Sequence, residues 1–137
     1  MATTIFVSEA TRDQLAATKA LYGAKSIDEV LNRLLRDAAP TAQDLFRRNK
    51  KKVLAACKRN GVTKLVAFGS RVRDDRTPTS DLDLVADFVP GTSLLDLVRT
   101  KRELSEAFGC PVDLGDIPDP GTRLADRIAK EGVALVG

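Results

Sequence analysis

The spacing of apolar side chains divides the chain into a helical first part and a second part in which strands and helices alternate. Within residues 1–40, a short β-prone run, Thr3–Val7, precedes two stretches with helical periodicity. Ser8 fits the N-cap of the first helix, and Ser26 with Glu29 fits a capping box that opens the second. The pattern therefore predicts a β-α-α unit, which is too small to bury a core alone and should dimerise or dock.

The remainder, residues 41–137, changes repeatedly between helical and strand periodicity. The predicted strands are residues 62–68, 81–88 and 111–116, and the predicted helices are residues 41–60, 93–108 and one marked by Leu124 and Ile128. This order predicts an α+β fold in which a small mixed sheet is flanked by helices. We expect residues 1–40 and 41–137 to form separate domains.

The amino-acid composition excludes several kinds of catalytic and metal site. Hydrophobic residues make up 43% of the chain and charged residues 30%, which is typical of a soluble globular protein. The chain has no histidine, which excludes a histidine base, a Ser-His-Asp triad and an ordinary zinc site. Cys57 and Cys110 lack metal-binding spacing, so we expect them in the core. No run approaches the ~20 apolar residues of a membrane span, and the first residues lack the apolar core of a signal peptide, so we predict a cytoplasmic protein.

Charge is distributed unevenly, although the formal net charge is only +3. Basic residues are concentrated in residues 41–63. A basic segment of this kind is more often a solvated helix face than a nucleic-acid surface, and both interpretations stay open here.

Two aspartates at alternate positions of the second predicted strand carry the clearest chemical signal. Asp81 and Asp83 point to the same side of a strand, where like charges repel unless a cation lies between them. Carboxylates without histidine or thiolate suit Mg²⁺, which borrows further ligands from substrate phosphates. Asp113, in the middle of the third predicted strand, shares this face if its strand lies beside the second. It would then complete a two-metal phosphoryl-transfer site and could accept a proton from an incoming hydroxyl.

The segment before these aspartates adds groups that suit a phosphate. Gly69 and Ser70 follow directly on a strand, where a small residue lets backbone amides approach phosphate oxygens. Arg71, Arg73 and Arg76 could neutralise a polyphosphate. Taken singly, each feature is equally typical of a solvated strand edge or an ordinary loop. Their joint order favours a phosphate and metal site.

The order Gly-Ser, ten residues, Asp-x-Asp resembles the minimal nucleotidyltransferases of the DNA polymerase β superfamily. This resemblance covers residues 62–137 and extends to about residue 41. It implies binding of a nucleoside triphosphate, with ATP expected, together with two Mg²⁺ ions. It further implies transfer of a nucleotidyl group to a hydroxyl. By position, the nucleotide-binding residues are Gly69, Ser70, Arg71 and Arg73, and the catalytic metal ligands are Asp81, Asp83 and Asp113.

Family members of this size are commonly antitoxins of HEPN-type toxins, and some transfer AMP to a toxin tyrosine. The resemblance thus implies a toxin partner for this chain. One departure is Asp74, which stands where the family has glycine and adds negative charge beside the expected triphosphate. The alternative is an antitoxin that sequesters the toxin or binds DNA while its transferase domain is catalytically idle.

Residues 1–38 resemble a different family, the ribbon-helix-helix antitoxins. This resemblance implies a homodimer through residues 1–40 whose paired strands enter the major groove of operator DNA. Thr4 and Phe6 would then face the DNA, while Lys25 and Ser26 could hold a phosphate. Base contacts favour Arg, Lys, Asn or Gln, which this face lacks. DNA contact, pure dimerisation and toxin binding therefore remain alternatives.

Overall fold

The computed structural model describes residues 2–137, which divide into two compact units, residues up to 38 and residues 39–137. The first unit contains helix α1 (Glu9–Tyr22) and helix α2 (Ile27–Ala38). As predicted, Ser8 caps α1 by accepting a hydrogen bond from the Thr11 amide. At the start of α2, Ser26 accepts from the Glu29 amide, and the Glu29 carboxylate accepts from the amide of Lys25.

The predicted strand Thr3–Val7 is wrong for the single chain. Residues 2–8 form no regular element, and the side chains of Ile5, Phe6 and Val7 are exposed. A β-strand needs a neighbour that accepts and donates its main-chain hydrogen bonds, and the described part of this unit holds no other strand. The two-chain ribbon, in which a second copy supplies that neighbour, stays a prediction.

The second unit contains all the predicted helices and strands. It differs from the prediction in three respects: the first predicted helix is two helices, a 3-10 turn follows the first strand, and a fourth strand follows the last helix. Its elements are α3 (Ala42–Arg48), α4 (Lys50–Arg59), β1 (Val62–Phe68), a 3-10 turn (Ser70–Val72), β2 (Leu82–Phe88), α5 (Leu94–Phe108), β3 (Val112–Asp116), α6 (Arg123–Glu131) and β4 (Val133–Val136). The helix predicted over residues 41–60 breaks at Asn49, whose side chain donates to the Leu45 carbonyl. None of the helices described between residues 2 and 137 is long and apolar enough to cross a membrane.

The four strands form one mixed sheet in the order β3-β2-β1-β4. β1 runs antiparallel to both β2 and β4, whereas β2 and β3 are parallel and are joined through α5. The predicted fold class, a small mixed sheet flanked by helices, is confirmed. The sequence pattern missed β4, because a four-residue apolar run directly after a helix has no periodicity of its own.

The core lies on the sheet face that α4 and α5 cover. Alternate strand residues, among them Leu65, Leu84 and Val112, point into it and are buried, together with Phe108 of α5. Cys57 is buried there as predicted, and burial raises the pKa of its thiol to about 11. The intervening residues of the strands point to the opposite face, where the candidate site lies.

Two apolar residues of α5 that helical periodicity places in the core are exposed. Leu94 is 75% exposed and Val98 is 61% exposed. Between them, Leu97 is partly buried against the core, and full burial begins at Thr100, whose hydroxyl donates to the Asp96 carbonyl. Periodicity identifies the apolar side of a helix, but it does not show how far along the helix its neighbours extend.

Candidate active site

The parallel pairing of β2 and β3 brings two carboxylates together. Asp83 and Asp113 are direct partners in the strand register, so their side chains leave the same face of the sheet. On either side of Asp83, Leu82 and Leu84 are buried in the core below. The alternation of apolar and acidic residues therefore aims the acids away from the core, which is the arrangement that the shared-face prediction requires.

The surroundings of Asp83 disfavour its charged form. Burial raises its pKa, and the negative charges of Asp113 and Asp81 raise it further. The positive charges of Arg127 and Arg73 act in the opposite direction. Asp81 itself is exposed and precedes the first residue of β2. The site is thus a carboxylate cluster that favours a cation.

Gly69 brings the main chain directly against Asp83. Its φ of 77° lies in the left-handed region, and a Cβ atom at this position would overlap with the Asp83 carboxylate. Only glycine satisfies both conditions without displacing Asp83. Ser70 follows directly on this contact as the first residue of the 3-10 turn.

The Arg71 side chain forms its hydrogen bonds with main-chain carbonyls of the loop and of the segment before α3, and not with groups on the open face of the site. It is buried, and its guanidinium donates to the carbonyls of Pro40, Pro78 and Ser80 at 3.0 to 3.2 Å. One side chain thus joins both ends of the loop to the segment that precedes α3. A nucleotide contact by Arg71 stays a prediction, since all three of its nitrogen atoms donate to the main chain.

Arg76 has a similar place, because it donates to the carbonyl oxygens of Ala39 at 2.7 Å and Arg73 at 3.0 Å. Asp74, the departure from the family glycine, is fully exposed and lies 3.9 Å from the Arg76 guanidinium. Its charge is therefore screened by solvent and by this neighbour.

Arg73 lies between two carboxylates. Asp75 accepts two hydrogen bonds from it at 3.0 and 3.1 Å, and Glu131 accepts from its Nη1 at 3.0 Å. These hydrogen bonds raise the pKa of the Arg73 guanidinium. The second aspartate of the loop thus has a defined role, which is to hold Arg73.

Sequence reasoning missed two charged residues of α6. Glu131 accepts from the Gly69 amide at 3.0 Å and from Nε of Arg127 at 2.9 Å, in addition to Arg73. Burial raises the pKa of Glu131, but the hydrogen bonds from Arg73, Gly69 and Arg127 lower it more. The guanidinium of Arg127 lies over the ring of Phe68, 5.6 Å from its centroid. Charged residues on an amphipathic helix are ordinarily solvated, so no local sequence signal distinguished them.

The donor set suits Mg²⁺ bound together with a substrate. Within residues 2–137, no three Asp, Glu or Cys side chains are close enough to hold a metal ion by themselves. Mg²⁺ commonly uses one or two protein carboxylates and completes its shell with water and substrate phosphates. The adjacent Asp83 and Asp113 carboxylates, with Asp81 nearby, fit that mode of binding. The described residues therefore do not form a preassembled site of three carboxylates.

Comparison with known proteins assigns this site to a class. The family model described as "Nucleotidyltransferase domain" matches residues 50–135, which include both α6 and the acidic strands. The chain belongs to the nucleotidyltransferase domain family, and its enzyme class is nucleotidyltransferase.

Individual relatives agree with this assignment. The chain is 40% identical over 87 residues to the protein named "Putative protein adenylyltransferase MJ0435" of Methanocaldococcus jannaschii, covering 64% of this chain and 94% of that protein. A solved structure described as a "putative minimal nucleotidyltransferase" is 32% identical, with a TM-score of 0.56, over 70% of this chain and 97% of the other. A structure of a tri-AMPylated Shewanella oneidensis HEPN toxin in complex with MNT antitoxin matches at 22% identity. It has a TM-score of 0.50 over 66% of this chain and 71% of the other, and it shows the shared fold alone.

Proposed function

We propose that this nucleotidyltransferase transfers AMP from Mg²⁺-ATP to a hydroxyl group of a protein. The observation that carries the proposal is the parallel register of Asp83 with Asp113, directly beside the Gly69 turn. The adenylyltransferase name of the relative that is 40% identical supports AMP as the transferred group.

The residues of the proposed site divide the work of this reaction, and Asp113 takes part in both metal binding and proton transfer. Asp81 and Asp83 would hold two Mg²⁺ ions with Asp113, and bound Mg²⁺ would neutralise phosphate charge and acidify the attacking hydroxyl. The Gly69–Ser70 turn would bind the triphosphate through the Ser70 amide and hydroxyl, because the Gly69 amide already donates to Glu131. The hydroxyl oxygen attacks the α-phosphorus and its proton passes to Asp113. The bond from the α-phosphorus to the bridging oxygen breaks, and pyrophosphate leaves with that oxygen.

For the acceptor, we propose a tyrosine of a HEPN-type toxin, which would make this chain the antitoxin of the pair. The exposed positions of Asp81 and Asp113 leave the acidic face accessible to a macromolecular acceptor. A similar fold occurs in an antitoxin that is bound to an AMPylated HEPN toxin.

A labelling experiment tests the reaction and its acceptor together. With Mg²⁺ and the toxin partner, we expect label from ATP carrying ³²P at the α-phosphate to appear on the toxin, and none from ATP labelled at the γ-phosphate. Chelation of Mg²⁺ by EDTA should stop the transfer, and replacement of the acceptor tyrosine by phenylalanine should remove the label. Transfer of the γ-label would contradict nucleotidyl transfer. Full neutralisation of the toxin without any labelling would favour the non-catalytic alternative, in which the idle domain sequesters the toxin.

For residues 1–40, we propose a ribbon-helix-helix-like dimer. Ile5, Leu34 and Leu35 are exposed apolar side chains in the single chain, and pairing of two copies of Thr3–Val7 would supply the missing strand neighbour. Operator DNA is a second proposed partner, with Thr4, Phe6, Lys25 and Ser26 as the contacting residues.

A matched pair of variants separates dimerisation from DNA binding. Ile5→Ser should convert the dimer to a monomer in light scattering, because Ile5 would face the dimer core. Phe6→Ser should leave the dimer intact and weaken only promoter binding, which should also fall with added salt. A wild-type chain that is monomeric at micromolar concentration contradicts the dimer. Promoter binding that is absent or insensitive to salt contradicts the DNA role.

A further inference from the structure

The loop arginines that were predicted to bind a triphosphate already form hydrogen bonds within the protein. Arg71 and Arg76 donate to main-chain carbonyls, and Arg73 is held by Asp75 and Glu131. In that last group one positive charge faces two negative charges. A triphosphate bound against the acidic face adds further negative charge, while the guanidinium donors of these arginines are already directed at protein groups. A cation on another element whose donors are still free would therefore complement the triphosphate.

Helix α6 places such a cation on the site face of the sheet. The guanidinium of Arg127 lies over Phe68, and Phe68 is the direct register partner of Asp83 across β1 and β2. The Arg127 side chain is 48% exposed. Within residues 2–137 its hydrogen bonds and ion pairs involve Nε alone, so both terminal amino groups keep their donors for a ligand.

Glu131 fixes the place of this arginine relative to the Gly69 turn. The two residues are one helical turn apart on α6, and Oε1 of Glu131 accepts from Arg127 at 2.9 Å. The same oxygen accepts from the Gly69 amide at 3.0 Å, across 62 residues of sequence. The Glu131 side chain is only 19% exposed. A single carboxylate thus joins α6 to the turn that approaches Asp83.

We propose that Arg127 binds the triphosphate of the nucleotide and that Glu131 positions both Arg127 and the Gly69 turn for this contact. The inference rests on the proposed function, since it requires a nucleoside triphosphate at the Asp83 face. Arg127 is a catalytic residue in this scheme, because negative charge grows on the pyrophosphate as its bond to the α-phosphorus breaks. A fixed guanidinium stabilises that charge through paired hydrogen bonds. Glu131 acts through Arg127 and is a positioning residue.

Binding to the full chain tests the role of Arg127 without relying on turnover. By calorimetry in the presence of Mg²⁺, Arg127→Ala should weaken both ATP and inorganic tripolyphosphate by about 10- to 100-fold, the loss expected for one charged hydrogen-bonding partner. Arg102→Ala, which removes an exposed arginine of α5 on the core side of the sheet, should change neither affinity. Equal affinities for wild type and Arg127→Ala would overturn the inference and leave the proposed function intact. A wild-type chain that binds neither ligand would overturn the proposed function itself.

Two variants of Glu131 test positioning against a merely structural role. Glu131→Ala removes the link to Gly69 and Arg127 and should weaken tripolyphosphate binding about tenfold. Glu131→Gln should retain most of the affinity, because its amide oxygen still accepts from both donors. A purely structural role predicts that both variants lower the thermal midpoint and leave the affinity of the folded protein unchanged. Tighter binding by either variant would show that the carboxylate competes with phosphate, and this too would overturn the proposal.

Discussion

Asp83→Asn is expected to reduce nucleotidyl transfer by at least about 100-fold while the fold is retained. A bound Mg²⁺ contributes several kcal/mol of transition-state stabilisation, and each ~1.4 kcal/mol corresponds to a factor of ten in rate. Asparagine has the same shape but lacks the charge that the metal requires. The measurement is the initial rate of α-label transfer at saturating ATP. Asp87→Asn is the matched control, because Asp87 points to the same side of β2 but lies exposed near its other end.

The same substitution should stabilise the metal-free protein. The pKa of Asp83 is raised in the folded state, so its charged form opposes folding at neutral pH. For the same reason, this residue's contribution should make wild-type stability increase as the pH falls through the folded-state pKa and level off below the lower, unfolded-state pKa, and the Asn variant should lack that contribution. Thermal unfolding with EDTA at several pH values measures both effects. A metal-free variant that is less stable than wild type at neutral pH would contradict this account of the carboxylate cluster.

Arg71→Ala is expected to lower the free energy of unfolding by about 3 kcal/mol, because a buried guanidinium loses its hydrogen bonds to three main-chain carbonyls and each such bond contributes a net ~1 kcal/mol. For a unit of this size the thermal midpoint should fall by roughly 15 °C. Denaturant and thermal unfolding followed by circular dichroism provide the test. Arg47→Ala serves as the control, since its ion pair with Asp44 is exposed and should contribute little.

The Arg71 variant also decides between two roles for this residue. In the structure Arg71 stabilises the loop through its hydrogen bonds, whereas the family resemblance implies that it binds the nucleotide. A variant of unchanged stability that no longer binds ATP would support the nucleotide role and contradict the structural one. A destabilised variant whose folded fraction binds ATP normally would establish the opposite.

The central geometry of the site was predictable because strand periodicity is strict. Alternation of apolar and acidic residues in β2 and β3 fixes which face Asp83 and Asp113 share, once the two strands are neighbours. The requirement for Gly69 could be anticipated only in part. The sequence indicates a turn, but the overlap of a side chain with Asp83 depends on how closely β1 and β2 approach at that point.

The roles of the charged side chains could not be predicted in the same way. A sequence does not show whether an arginine beside a turn contacts a ligand, a carbonyl or another side chain. The partners within reach of a long side chain depend on the tertiary structure. Arg71, Arg73 and Glu131 all illustrate this. The contact between Glu131 and Gly69 joins residues far apart in the chain, and no local pattern records it.

The pairing of β4 with β1 affects when the domain can fold during its synthesis. Leu65 of β1 pairs with Val136 of β4, and α6 lies just before that strand. During synthesis, Asp83 and Asp113 leave the ribosome well before Arg127, Glu131 and β4. Loop closure over so long a separation is slow, and domains dominated by distant contacts fold late. A nascent chain therefore exposes its acidic residues before α6 and β4 can pack against them, and nucleotide binding should appear only after residues through 136 have left the ribosome.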